Sequence, residues 1–535
     1  MYTTHDINYK GVPKMVEYLD YSFSYPNGKQ VLHNVNLNIS TGDFVVLFGS
    51  SGCGKTTLIK QLLSIAPNGS STGSVLIDGV SCDSVPINKV GYVSQSIENQ
   101  IVTDKVWHEL AFGLESMGVP SNIIRSKVME TATYFGIDTW YDKSINELSG
   151  GQRQILMVAS IMVTNPEILI LDEPTSQLDA VSINELMSML ERINKDLGVT
   201  IIVIEHSLDY VFSYANRLVY IQDGVILHSG SKLDTLNFKE AIPYLPPYIK
   251  VAYFQRYPND AIYVSNFRRE FLKRDYPKLS CNGYTPPDKD RLSIQIKSLY
   301  YKYSKEGDYA LNGIDLKLYS NQITSIIGPN GSGKSTLTSL IVGALKSKYG
   351  KVKVLDTICC LPQDVQTVFC KSTVYQDLLS TKLNGIDLES SVVTDILDRF
   401  GLLHLKDCHP YDLSGGEQQM LGIAKVLLLD TNILVLDEPT KCLDVFKKAI
   451  LKEVLVELAN HGKTVILISH DLDYVCEVSN RLIVMFKGEV VSDGSPKELL
   501  SANRYFTTSI GRVLGSNNRG YLISKDFDTK GCLSC

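Results

Sequence analysis

The chain has 535 residues, of which 44% are hydrophobic and 21% charged, with 38 Gly and 19 Pro; at roughly 100–200 residues per domain this predicts about three domains and excludes a disordered, collagenous or coiled-coil protein. Lys and Arg number 52 against 58 Asp and Glu, a formal net charge of −6, so no global positive excess points to nucleic acid, although a local basic patch stays open. Eleven scattered cysteines, an N-terminus (MYTTHDINYKGVPK) with no apolar signal core and apolar runs of only strand length predict reduced thiols in the cytoplasm, no zinc or iron–sulfur site and no bilayer span.

The first element with a chemical signature is Phe44–Phe48 (FVVLF), which suits a buried parallel strand. It feeds Gly49-Ser50-Ser51-Gly52-Cys53-Gly54-Lys55-Thr56-Thr57, and Thr57–Leu63 is predicted as a helix. Leu148-Ser149-Gly150-Gly151-Gln152 follows, then a second buried strand, Ile168–Leu171, ending in Asp172 and Glu173, then a strand ending in Ile204-Glu205-His206. Residues 236–290, with YLPPYIKVAYFQRYP and NFRREFLKRDYPK, predict a Pro- and Tyr-rich connector with some helix. The series then returns as Gly328-Pro329-Asn330-Gly331-Ser332-Gly333-Lys334-Ser335-Thr336, Leu413-Ser414-Gly415-Gly416-Glu417, Ile433–Leu436 before Asp437 and Glu438, and Ile468-Ser469-His470. The copies stand 279 residues apart at Lys55 and Lys334 and 265 apart at Ser149 and Ser414, too long a period for a solenoid. The expected organisation is a domain over 16–235, the connector 236–290, a second domain over 291–505 and a polar C-terminal tail, 506–535. Cys532-Leu533-Ser534-Cys535 loosely resembles a prenylation box but lacks its aliphatic pair.

In the pattern G-x-x-x-x-G-K-[ST], glycines let successive backbone N–H groups turn inward around phosphate oxygens, and the following helix N-terminus adds positive potential. Lys55 and Lys334 then reach the outer phosphates, and Thr56 and Ser335 can ligate Mg²⁺. Two adjacent acids ending a buried strand are costly unless occupied. Asp172 and Asp437 can hold the metal's shell, and Glu173 and Glu438 can orient and deprotonate a water for attack on a γ-phosphate.

With these motifs the sequence resembles the ABC-type ATPase family, and the resemblance covers both copies almost end to end. LSGGQ, about twenty residues before the acid-ending strand, is its most specific element: a helix N-terminus carrying a Ser hydroxyl and glycine amides, a second phosphate cradle without a lysine. The resemblance implies an α/β fold of two tandem P-loop NTPase domains, each with a mainly parallel core sheet, an antiparallel β subdomain and a helical subdomain carrying the signature. It implies an adenine-stacking aromatic at Tyr25 and Tyr303, a metal- and water-contacting glutamine at Gln95 and Gln363, a switch histidine at His206 and His470, and a loop aspartate at Asp179 and Asp444. Each ATP would lie on one copy's phosphate loop and beneath the other's signature. Lys55, Thr56, Gln95, Asp172, Glu173 and His206 would work with Ser414 and Gly416; Lys334, Ser335, Gln363, Asp437, Glu438 and His470 with Ser149 and Gly151. ATP and Mg²⁺ are the ligands so implied.

Ser96–Glu115 (SIENQIVTDKVWHELAFGLE) resembles the segment after this glutamine in ATPases of energy-coupling factor importers of vitamins and metals, where it helps dock the membrane protein; Asp364–Leu379 is less faithful. That resemblance implies a transmembrane coupling protein and a substrate-binding membrane protein as partners, and a peripheral position on the cytoplasmic face of the membrane. Two other readings stay open: a soluble twin-ABC ATPase acting on ribosomes or nucleic acid, for which Arg268, Arg269, Lys273 and Arg274 are a candidate basic cluster, and the fused ATPase of a sugar or peptide importer.

Overall fold

The computed structural model describes residues 14–63, 67–176, 178–274, 276–279, 284–285, 291–304, 307–383, 386–387, 389–504 and 506–527. Residues 1–13 of the N-terminal stretch read for a signal core, and the Cys532–Cys535 motif, lie outside them. The chain divides into two units, Met1–Leu245 and Pro246–Cys535. No helix of the described residues is long and apolar enough to cross a membrane.

In the first unit six strands form a sheet in the order Val225–Gly230, Arg217–Gln222, Phe44–Phe48, Thr200–Glu205, Ile168–Asp172, Val90–Val93. Neighbours run parallel except Val225–Gly230, which pairs antiparallel at one edge. FVVLF, ILILD and TIIVIE are buried along their whole length, and burial on both faces is why they read as unbroken apolar runs. An antiparallel sheet of Gln30–Ser40, Lys14–Ser24, Ser70–Ile77 and Val80–Ser81 alternates polar and apolar instead, as a one-sided sheet must. Its Val16, Tyr18, Leu32 and Leu37 share a core with Leu47, Leu58, Ile170 and Ile202. Three helices, Val106–Ser116, Ser121–Phe135 and Gly150–Met162, form the helical part and bury Leu110, Leu114, Ala132 and Leu156.

The second unit repeats this plan. Its sheet runs Ile358–Leu361, Ile433–Asp437, Thr464–Ile468, Ile323–Ile327, Arg481–Phe486, Glu489–Gly494, beside an antiparallel sheet of Leu311–Tyr319, Leu292–Tyr301 and Tyr349–Val354. Val374–Leu379, Ser390–Arg399 and Gly415–Leu427 are its helical part. Register brings the strand ends level. Phe48 pairs with Glu205, Asp172 with Ile204, and Asp437 with Ile468. Each glycine loop, acid pair and histidine therefore leaves the sheet at the same carboxyl end of parallel strands, where open α/β sheets bind ligands.

The helix after the first glycine loop spans Lys55–Lys60, two residues earlier than the predicted Thr57–Leu63. Gly54, at φ +103°, turns the chain directly into it, and Gly333 does the same at φ +99°. The polar composition of the C-terminal tail also misleads. Ile510, Leu514, Tyr521, Leu522 and Phe527 are buried, and Phe271 and Tyr276 of the connector pack against Tyr521 and Phe527. A few apolar side chains, spaced to meet an aromatic connector, pack the described part of this segment.

Candidate functional site

The glycine loop of each unit is shaped by backbone that tolerates no side chain. A Cβ on Gly49 would stand 2.1 Å from the Ile221 carbonyl oxygen, and one on Gly328 would stand 2.2 Å from that of Met485. Lys55, 5% exposed, donates to the carbonyls of Gly49 (2.9 Å) and Ser50 (2.7 Å). Lys334, 7% exposed, does so to Gly328 (2.8 Å) and Pro329 (3.0 Å). Each ammonium is thus held inside its own loop by backbone carbonyls, and its charge also acts on the nearby site carboxyls, Lys55 on Glu173 and Lys334 on Asp437 and Glu438. Tyr25 and Tyr303 are placed alike: each hydroxyl lies 3.0 Å from the hydroxyl of Thr57 or Thr336. The Tyr303 ring, 70% exposed, is open for stacking.

Thr56 donates to Asp172 at 3.2 Å, and the Ser335 hydroxyl partly offsets the burial of the Asp437 carboxyl. Burial pushes both aspartates above their ordinary range, and in lobe one the adjacent Glu173 adds to it. A hydroxyl and a carboxylate, hard oxygens side by side on a glycine cradle, form a donor set that fits Mg²⁺.

The two catalytic candidates differ. Around Glu173, His206 Nε2 lies 2.5 Å from Oε1 and Gln95 donates to Oε2 at 2.7 Å. Burial would raise this carboxyl, but the His206 charge and hydrogen bond, with Lys55 and Gln95, bring it below the usual value. In lobe two the backbone N–H of His470 donates to Glu438 at 3.3 Å. The His470 ring stands 3.2 Å from Oε1, yet that oxygen makes no hydrogen bond among the described residues. Burial and Asp437 push Glu438 up to about 8. Gln363 is exposed, and no hydrogen bond joins it to Glu438, unlike Gln95 and Glu173.

The signature serines cap helices. Ser149 caps Gly150–Met162, where its hydroxyl accepts from Gln152 N–H (3.3 Å) while Gln152 Oε1 accepts from Ser149 N–H (2.9 Å). Ser414 caps Gly415–Leu427, and its hydroxyl donates to Glu417 (2.7 Å). The Gln152-to-Glu417 difference thus preserves the capping box. Gly151 is forced, because a Cβ there would meet Ser182 Oγ at 2.6 Å. Asp179 and Asp444 cap the helices Ala180–Leu197 and Val445–Asn460.

Three further carboxyls went unassigned by motif reading. Glu109 accepts from the N–H groups of Val102 and Thr103, and buried Asp377 accepts from those of Cys370 and Lys371 and pairs with Lys425 at 2.8 Å. Both hold the loop after the glutamine. Glu205 is the third; burial pushes it up to about 8, and its only sequence signal is that Ser469 replaces it in the other copy. In the connector, Arg268 donates to the Val513 carbonyl and Arg274 to that of Gln255 while covering the Tyr257 ring at 4.3 Å. Arg269 lies 3.6 Å from Asp260, and Lys273 is paired with Glu270 at 2.6 Å. The basic cluster holds the connector together.

The ABC transporter family model matches residues 32–176 and 311–441, which include both glycine loops, both signatures and both acid-ending strands. A protein of Bacillus cereus named as an ABC transporter ATP-binding protein is 32% identical over 523 residues, 92% of this chain and 94% of its own length. The chain belongs to the ABC transporter family. It carries two of the family's ATPase domains, each of P-loop fold. Another relative in the family, from Bacillus subtilis and named as an HMP/thiamine import ATP-binding protein, YkoD, is 29% identical over 90% of this chain and 91% of its own. Among solved structures, the archaeal ribosome recycling factor aABCE1 matches 90% of this chain and 91% of that one at 22% identity and a TM-score of 0.58, a likeness of fold.

Proposed function

We propose that this chain is the ATP-hydrolysing subunit that energises an energy-coupling factor type importer of a micronutrient, a vitamin or a metal ion, from the cytoplasmic face of the membrane. The observation that carries this reading is the likeness, over 90% of this chain, to the relative named for HMP/thiamine import. Supporting it, Val102 and Phe112 are exposed and Trp107 stacks on His108 at 4.9 Å within Ser96–Glu115, the segment the resemblance assigns to docking a membrane protein. The fold likeness to a ribosome factor carries no function with it, and the connector's arginines are already engaged.

In this reading ATP is the substrate. Lys55 and Lys334, with the loop amides, hold the outer phosphates, and Tyr25 and Tyr303 stack on adenine. Thr56, Asp172 and Gln95, and in lobe two Ser335, Asp437 and Gln363, hold Mg²⁺, which when bound neutralises phosphate charge. Glu173 and Glu438 accept the proton of the attacking water as the bond from its oxygen to phosphorus forms and the bond to ADP breaks. His206 and His470 orient those carboxylates. Ser149 and the amides of Gly150 and Gly151 serve the ATP of the second lobe, and Ser414, Gly415 and Gly416 that of the first. The test is affinity purification of the chain from detergent-solubilised membranes. A polytopic membrane protein and a small substrate-binding membrane protein should co-purify; ribosomal proteins without either would overturn the proposal.

A further inference from the structure

Both catalytic glutamates sit in left-handed backbone, Glu173 at φ +49° and Glu438 at φ +52°. Residues with a side chain persist there only where the surroundings over-determine them. Part of the restraint is common to both lobes: Glu173 N–H donates to the Ile204 carbonyl at 3.0 Å and Glu438 N–H to that of Ile468 at 2.9 Å. So is a closing turn bond, Ser176 N–H to the Glu173 carbonyl at 3.3 Å and Lys441 N–H to that of Glu438 at 3.1 Å, but the side-chain restraint differs. In lobe one the N–H of Thr175, two residues past Glu173, donates to Oε1 of Glu205 at 3.1 Å, and Ser176 Oγ donates to the Glu173 carbonyl at 2.9 Å. In lobe two, at the matching positions, the hydroxyl of Thr440 lies 3.1 Å from that of Ser469. One lobe fastens the backbone itself to a side-chain acceptor; the other joins two side chains. Glu205 is only 5% exposed, and a carboxyl buried there is unfavourable unless it is needed. Ser469 shows that the fold accepts a residue without that penalty.

We propose that Glu205 is a positioning residue of the first ATP site: by accepting the Thr175 N–H it fixes the strained turn at Glu173 and keeps that carboxylate aligned on His206 and Gln95. The two turns are therefore held differently, the first with a buried carboxyl as acceptor and the second with the Thr440–Ser469 hydroxyl pair in its place. This rests on the reading of Glu173 and Glu438 as the water-activating groups. Glu205 acts through the backbone, so its loss should lower turnover and leave ATP binding alone, and Gln, which keeps the acceptor oxygen, should replace it.

The experiment uses the full chain carrying Glu438→Gln, so that the first lobe's turnover is read alone. Glu205→Ser should lower kcat for ATP about tenfold with KM changed less than about twofold, and Glu205→Gln should stay within about twofold of the parent. The proposal is overturned if Glu205→Ser leaves kcat unchanged, if it raises KM alone, or if Glu205→Gln falls as far as Glu205→Ser. Should the serine variant not fold, amide exchange of the wild-type chain decides instead: Thr175 N–H is expected to be protected, and rapid exchange there contradicts the clamp. Failure of the underlying reading looks different, because adding Glu173→Gln to the same parent would then leave its turnover intact.

Discussion

Glu173 and Glu438 are the same residue at the same point of two repeats, yet one is bracketed by an imidazole and an amide while the other has a bare oxygen beside its histidine. That contrast was not legible from motif spacing, since Gln95 and Gln363 look equivalent there and only tertiary placement decides which side chain turns inward. The lysines were legible, because a glycine loop between a buried strand and a helix leaves them one environment. Lys55→Ala or Lys334→Ala should weaken ATP binding to the lobe it alters by at least about tenfold, given typical strengths of charge-assisted bonds, as nucleotide titration would read. Glu205 makes a pH prediction. Its folded carboxyl is raised from 4.5 to about 8, so the folded state holds this proton more tightly; the group's stabilisation is complete below about pH 4 and is lost as pH rises through about 8. Glu205→Gln removes that loss. Its melting temperature should gain on wild type between about pH 5 and 8, by roughly 2–4 °C per kcal/mol recovered, and then level off. A gap that is constant across that range would contradict the burial assigned to Glu205.

Among the elements, the strands FVVLF and ILILD were readable because each is buried on both faces and tolerates no polar residue before its end. The C-terminal segment was not, because its ordering depends on contacts with residues some 250 positions earlier. Phe271 stacks on Tyr276 at 5.1 Å and meets Tyr521 and Phe527 edge-on. Arg268 closes the same region on the Val513 carbonyl. Phe271→Ala should therefore destabilise the second unit by about 3–5 kcal/mol, the usual cost of emptying a buried aromatic site, measured by denaturant unfolding. Little change would mean that the connector and the C-terminal segment are not one packed element.

Across the whole molecule, repetition was the most legible feature: two full sets of phosphate loop, signature, acid pair and histidine, carried on two units of the same plan. Departures between copies, Glu205 against Ser469 and Gln152 against Glu417, were visible as letters but acquired meaning only from their partners. If each signature serves the ATP of the other lobe, Ser149→Ala in a Glu173→Gln chain should lower the remaining turnover, which belongs to Lys334, while the same change in a Glu438→Gln chain should spare it. Equal effects in both would contradict that exchange. The most direct test of the whole account is steady-state hydrolysis by the chain carrying Glu173→Gln and Glu438→Gln together. Turnover should fall at least about a hundredfold with ATP still bound; hydrolysis at the wild-type rate would show that neither glutamate activates the water.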